Sequence, residues 1–190
     1  MEQRFDERRS QIGIGNVVKM ENEIVNKVAN SSLEVFDLED YYTTGIRIQI
    51  DISQWLEEGF LLKEKDFRAV LKNHNWNQYQ DCLVAIHCAT DAIIPAWAII
   101  LVATYVIPFA KKTTNGLLID LETNLYQEIL ATLDYSIYQD KAIILKGCSK
   151  KPVPEAAYVM ALEHLIPVCK SIMYGEACSA VPLFKKVIAK

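Results

Sequence analysis

The stretches YQDCLVAIHC (79–88) and YQDKAIILKG (138–147) open on the same tripeptide and continue as short, β-rich apolar runs. They lie 59 residues apart, and the offset persists without a gap. It pairs Pro95 with Pro154, Ala98 with Ala157, Ile107-Pro108 with Ile166-Pro167, Lys111 with Lys170 and Gly116 with Gly175. Between these anchors AWAIILVATYV lies over EAAYVMALEHL, both long and periodic enough to be helices. The repeated unit therefore reads strand, loop, helix, second strand, over residues 76–116 and 135–175. Proline suits a first helical turn, whose amides have no internal partner to lose. The residue before a proline is pushed out of helical geometry, which ends the helices at Ile107 and Ile166.

Strands alternating with helices predict an α/β fold, a mainly parallel sheet with helices on both faces. Right-handed crossovers would then line up the strand-exit loops along one edge. RIQIDIS (47–53) alternates apolar and polar and can add an outer strand, and one extra antiparallel edge strand is allowed for. KEKDFRAVLKN (63–73) carries Phe67, Val70 and Leu71 on one stripe and reads as an amphipathic helix. A further helix is expected to start at an Asp120 cap and run LETNLYQEILATL.

Composition narrows the function classes. The 190 residues carry a net charge of −4, so there is no basic field for nucleic acid. The longest apolar run, Ala92 to Ala110, is broken by Pro95, Thr104, Tyr105 and Pro108 and followed by two lysines. It reads as a buried helix rather than a membrane span. The charged start MEQRFDERRSQ has no apolar core of a signal peptide. Residues 1–19 are polar and read as a disordered lead, with a single domain over 20–190.

Five cysteines, at 82, 88, 148, 169 and 178, are an odd number in a chain that looks cytoplasmic, which argues against a disulfide framework. Cys88 closes VAIHC, Cys148 follows AIILKG and Cys178 follows SIMYGEA, so three thiols leave the carboxyl ends of strands. Ligands of open α/β sheets bind at that edge. Three thiolates from three loops would suit zinc or an iron–sulfur cluster, with Asp91 or Glu176 as candidates for a fourth position. His87 is weaker, because a strand residue points to the face opposite its neighbour. Against this stands the plain alternative of small buried residues near strand ends. A second chemistry is a nucleophilic Cys148 ahead of a helix N-terminus, its pKa lowered by Lys146, Lys150 and Lys151. The same lysines would suit a small anionic ligand. A third option is an interaction domain, a homodimer through Trp97 or the apolar helices.

From Met20 onward the chain resembles a bacterial family of domains of unknown function, number 2480. The stretches that carry the likeness are ENEIVNKVANSSLEVFDLEDYY, QIDISQWLEEGFLLKEKDFR, TDAIIPAWA, KGCSKKPVPEAAYVM and KSIMYGEACSAVPL. The resemblance implies a small cytoplasmic bacterial protein and a cysteine before the Thr90-Asp91-Ala92-Ile93 stretch, matched here by Cys88.

Overall fold

Each short apolar run becomes a strand and each proline-opened run a helix, but the strands divide between two sheets. The computed structural model describes residues 33–147, 150–176 and 179–187. In chain order its elements are β1 (Leu33–Asp37), β2 (Arg47–Asp51), α1 (Glu64–Asn73), β3 (Leu83–His87), α2 (Ala96–Val106), β4 (Lys112–Asn115), α3 (Leu118–Thr132), β5 (Ala142–Lys146), α4 (Glu155–Leu165), β6 (Ser171–Tyr174) and β7 (Val181–Lys185). Short 3-10 turns stand at Leu38–Tyr41, Ile52–Trp55, Trp76–Tyr79 and Ser136–Tyr138.

One sheet has the order β2-β3-β4 and is all parallel. The other has the order β1-β5-β6-β7, parallel except for the antiparallel pair β6–β7. The α/β class and the extra antiparallel edge strand are both present. That edge strand is VPLFK at 181–185, however, and the RIQIDIS segment runs parallel to β3. Five residues containing a proline give no alternating signal, and proline is tolerated where one strand edge faces outward. Asp120 is also displaced from its expected place. It is the third residue of α3, its carboxylate accepting a 2.7 Å hydrogen bond from the Leu117 amide. The expected disordered lead at 1–19 lies outside the described residues.

The 59-residue offset is reproduced in three dimensions. It carries β3 onto β5, α2 onto α4 and β4 onto β6. Asp81 and Asp140 both adopt positive φ, +58° and +56°, a geometry aspartate tolerates better than most residues. Their amides donate to Phe109 O and Val168 O, each at 2.9 Å and again 59 residues apart.

The equivalence reaches further back than the sequence anchors. Buried Phe67 and Leu71 of α1 correspond to buried Tyr126 and Leu130 of α3. Likewise β1 with its 3-10 turn corresponds to β2 with its own, Leu38 and Ile52 both being fully buried. One lobe, built on β2, α1, β3, α2 and β4, is thus inserted into the other, between the turn after β1 and the second half of α3.

Helix α3 belongs to both lobes. Leu121 and Leu125 pack on Leu83 and Ala85 of β3. One turn on, Tyr126 and Leu130 join Phe36, Ile143, Leu145 and Leu165 in the core of the other lobe. The Tyr126 hydroxyl donates to Leu38 O at 3.0 Å. Between these two sets Glu122, nearly buried, accepts from Arg47 Nε at 2.7 Å and from its Nη2 at 3.2 Å. Two further guanidinium donors go to Gly45 O and Thr43 O. This pairing raises the arginine pKa further above its ordinary value.

Removing one partner of such a pair strands the other charge away from water. Glu122→Ala is expected to cost about 3–5 kcal/mol by urea unfolding. The double variant Arg47→Met/Glu122→Leu should recover much of that loss.

Candidate functional site

Both central strands end beside an aspartate. Asp37 closes β1 and Asp51 closes β2, and the registers set them against Lys146 and His87. Each carboxylate also caps the 3-10 turn that follows, accepting at 3.0 Å from Glu39 N and Ser53 N respectively. The chemistry then diverges between the two lobes.

At the carboxyl edge of the three-stranded sheet, Asp51 accepts from the Ala89 amide at 3.0 Å and from the Ser53 hydroxyl at 2.7 Å. Burial works against its ionised form. The hydrogen bonds from Ser53 and Ala89, with His87 nearby, outweigh burial and hold its pKa below the usual value. His87 Nε2 lies 2.8 Å from Gln49 Nε2, while Gln49 Oε1 accepts from the Leu118 amide at the start of α3. Cys88 is half-buried against the lobe's core, with Sγ 3.5 Å from the Thr90 hydroxyl. Thr90 in turn donates to Gly59 O at 2.6 Å. Asp91 is exposed on the same loop.

At the carboxyl edge of the four-stranded sheet, Lys146 Nζ lies 3.0 Å from Asp37 and 4.0 Å from Glu176. The hydrogen bond and charge of Asp37, then the charge of Glu176, raise the lysine pKa. Lys150 donates its amide to Glu39 at 2.8 Å, and Lys151 rests 5.0 Å over the Tyr42 ring. Gly147, which corresponds to Cys88 in the repeat, has φ +155°. A Cβ there would meet Leu38 Cβ and Tyr158 Oη at 3.0 Å. A side chain there would be strained by the backbone and would need Leu38 or Tyr158 to give way, where the other lobe carries its thiol.

The single edge expected for three thiols is therefore two edges. Cys88 leaves the three-stranded sheet, whereas Cys148 and Cys178 follow β5 and β6 and themselves lie outside the described residues. Tyr42 also stacks on the Arg47 guanidinium at 4.3 Å, so the loop carrying Lys151 adjoins the amino end of β2. Cys88 stands at the carboxyl end of that sheet, about 13 Å further along the strands. Among the described residues no group of three or more His, Cys, Asp and Glu side chains is placed to hold a metal. Lys146 is engaged by carboxylates, which weakens it both as an activator of Cys148 and as an anion ligand. Cys82 and Cys169 are buried, and burial pushes the Cys169 thiol up.

A family model described as "Protein of unknown function (DUF2480)" matches residues 22–186. The chain belongs to the DUF2480 family. No curated protein and no solved structure matches it. The DUF2480 match takes in both lobes, both carboxyl edges and the β7 strand. Among the described residues no helix is long and apolar enough to cross a membrane.

Asp37, Asp51 and Gln49 were not picked out from sequence. A signal existed, since VFDLEDY and IQIDISQW both set an aspartate between apolar residues where a strand ends. His74, read as part of a polar turn, instead packs edge-on to Trp55 and Trp76 and lies 2.9 Å from the Tyr79 hydroxyl. Burial lowers its pKa, so the folded state binds a proton there less readily than the unfolded chain. The stability this neutral ring contributes is present above about pH 6.5 and is lost as pH falls below it. Thermal melts from pH 7.5 to 5.5 should show falling stability in the wild type and a flatter profile in His74→Gln.

Proposed function

We propose that the carboxyl edge of the four-stranded sheet is the working site and that Cys148 and Cys178 bind a metal ion there. The supporting observation is that β5 and β6 are adjacent and parallel, with Gly175 N donating to Leu145 O at 3.1 Å. Cys148 follows Leu145 by three residues and Cys178 follows Gly175 by three. At about 3.5 Å of chain per residue, both thiols can reach a common point beyond the strand ends. Ser179 N donates to Glu176 O at 2.9 Å, so the described residues on either side of the second cysteine stand close together.

Glu176 supplies a third ligand. Its side chain is 69% exposed and only 4.0 Å from Lys146, which keeps a closer partner in Asp37, so Glu176 is free to turn toward a cation. Two thiolates and one carboxylate leave an open position on zinc, whereas iron–sulfur clusters ordinarily take four cysteines. Zinc is thus preferred to a cluster. Cys88 and Asp91 belong to the other lobe's edge and take no part. A reducing, cytoplasmic setting would keep the thiols available.

Protein purified with its metal protected is expected to carry about one zinc per chain by elemental analysis. Cys148→Ser and Cys178→Ser should each lower that content about 10-fold or more, and Cys88→Ser should leave it unchanged. Metal-free wild-type protein, or loss of metal in Cys88→Ser alone, would overturn the assignment.

A further inference from the structure

From Ala92 to Ala110 no side chain is charged, yet α2 leaves one apolar stripe outside the core of its own lobe. Ala98, Val102 and Val106 are fully enclosed. Away from them run Ala96, Ile100, Ala103 and Ile107; Ile100 is 63% and Ile107 61% exposed, and Ala103 at the margin also touches the lobe's own core. Their spacing of four, three and four residues makes a seam of alternating large and small residues, the pattern by which one helix packs along another. A helix apolar all round is ordinarily covered all round. Beside this seam, Ile94, Pro95, Ile99, Ile100 and Ala103 line a cavity of about 490 Å³ that reaches Asn115 of β4.

Strand β4 is the outer strand of its sheet, and its far edge carries no strand among the described residues. Lys111 N donates inward to Cys82 O, so strand alternation turns the amides of Lys112 and Thr114 outward. Thr113 Oγ1 is enclosed without a hydrogen-bond partner among the described residues. The chain itself shows how such an edge is completed. In the other lobe the corresponding strand β6 is covered by the antiparallel strand β7.

We infer that β4 and α2 form the interface of a homodimer, in which β4 pairs antiparallel with β4 of a second copy and the two α2 seams pack across the same two-fold axis. The stretch KKTTN (111–115) is self-complementary in this arrangement. The axis falls at Thr113, so Thr113 faces Thr113 of the second copy across a non-hydrogen-bonded pair, Lys112 exchanges hydrogen bonds with Thr114, and Lys111 faces Asn115. Threonine pairs across strands are favourable, and no like charges are opposed. The result is one continuous six-stranded sheet with the strand order β2-β3-β4 on each side of the axis, a closed isologous contact that leaves no bare edge at its centre. A second copy supplies an apolar helix beside a strand edge, which matches the two adjoining features. A free peptide strand would leave the helix seam uncovered.

Sedimentation velocity across a dilution series tests this on the full-length chain. The wild type should be a dimer at micromolar concentration. Ile100→Asp, at an exposed position, should weaken dimerisation at least about 30-fold while keeping the wild-type circular dichroism spectrum. Hydrogen exchange should show the Lys112 and Thr114 amides protected in the wild-type dimer and exposed in Ile100→Asp. A wild type that is monomeric at 100-fold higher concentration would overturn the proposal. So would a dimer that folded Ile100→Asp leaves intact, or β4 amides that exchange at the same rate in both proteins.

Discussion

Helix α3 must satisfy two cores at once, and the geometry of both lobes follows from that demand. Its first two turns present Leu121 and Leu125 to the three-stranded sheet, and its later turns present Tyr126 and Leu130 to the four-stranded one. Fully burying an aliphatic or aromatic side chain contributes about 1.5–3 kcal/mol, so each set holds the helix about as strongly as its one buried ion pair. Glu122 sits at the crossover, where a carboxylate is tolerable only because Arg47 meets it with two donors. The arginine gives two further donors to Thr43 and Gly45, in the connection that leads from one lobe into the other. One ion pair thereby fixes the helix, the start of β2 and the connecting loop together.

The nested arrangement explains why so much of the fold could be read and where reading stopped. Offset anchors such as Tyr79-Gln80-Asp81 and the Ile-Pro pairs mark turns, where backbone geometry restricts the residue type, so identity survives there. The equivalence of α1 with α3 was invisible because it rests on Phe67 matching Tyr126, two residues alike in size and burial only. Division into two sheets was also invisible. Pattern reveals that a strand is apolar but not which neighbour it pairs with, and β1 reaches past the whole inserted lobe to pair with β5.

The site was legible in part. Cysteines at strand ends were visible as such, and Cys88 does open the loop after β3. What the spelling could not convey is that two strand ends can belong to different edges. The lysines around Cys148 looked like free positive charge, whereas Lys146 is committed to Asp37 through a pairing set by strand register. The two aspartates that organise both edges escaped notice because a single aspartate at a strand end has no distinctive neighbours.

Native-state hydrogen exchange on a Leu125→Ala variant tests the shared helix most directly. Leu125 packs on β3, in a buried cluster that holds no residue of β5. If α3 couples the lobes, the slowest amides of β3 and of β5 should exchange with one common free energy, and both should fall by the same amount in the variant. A fall confined to β3, with β5 keeping its wild-type protection, would mean that the lobes open independently and that α3 is no keystone.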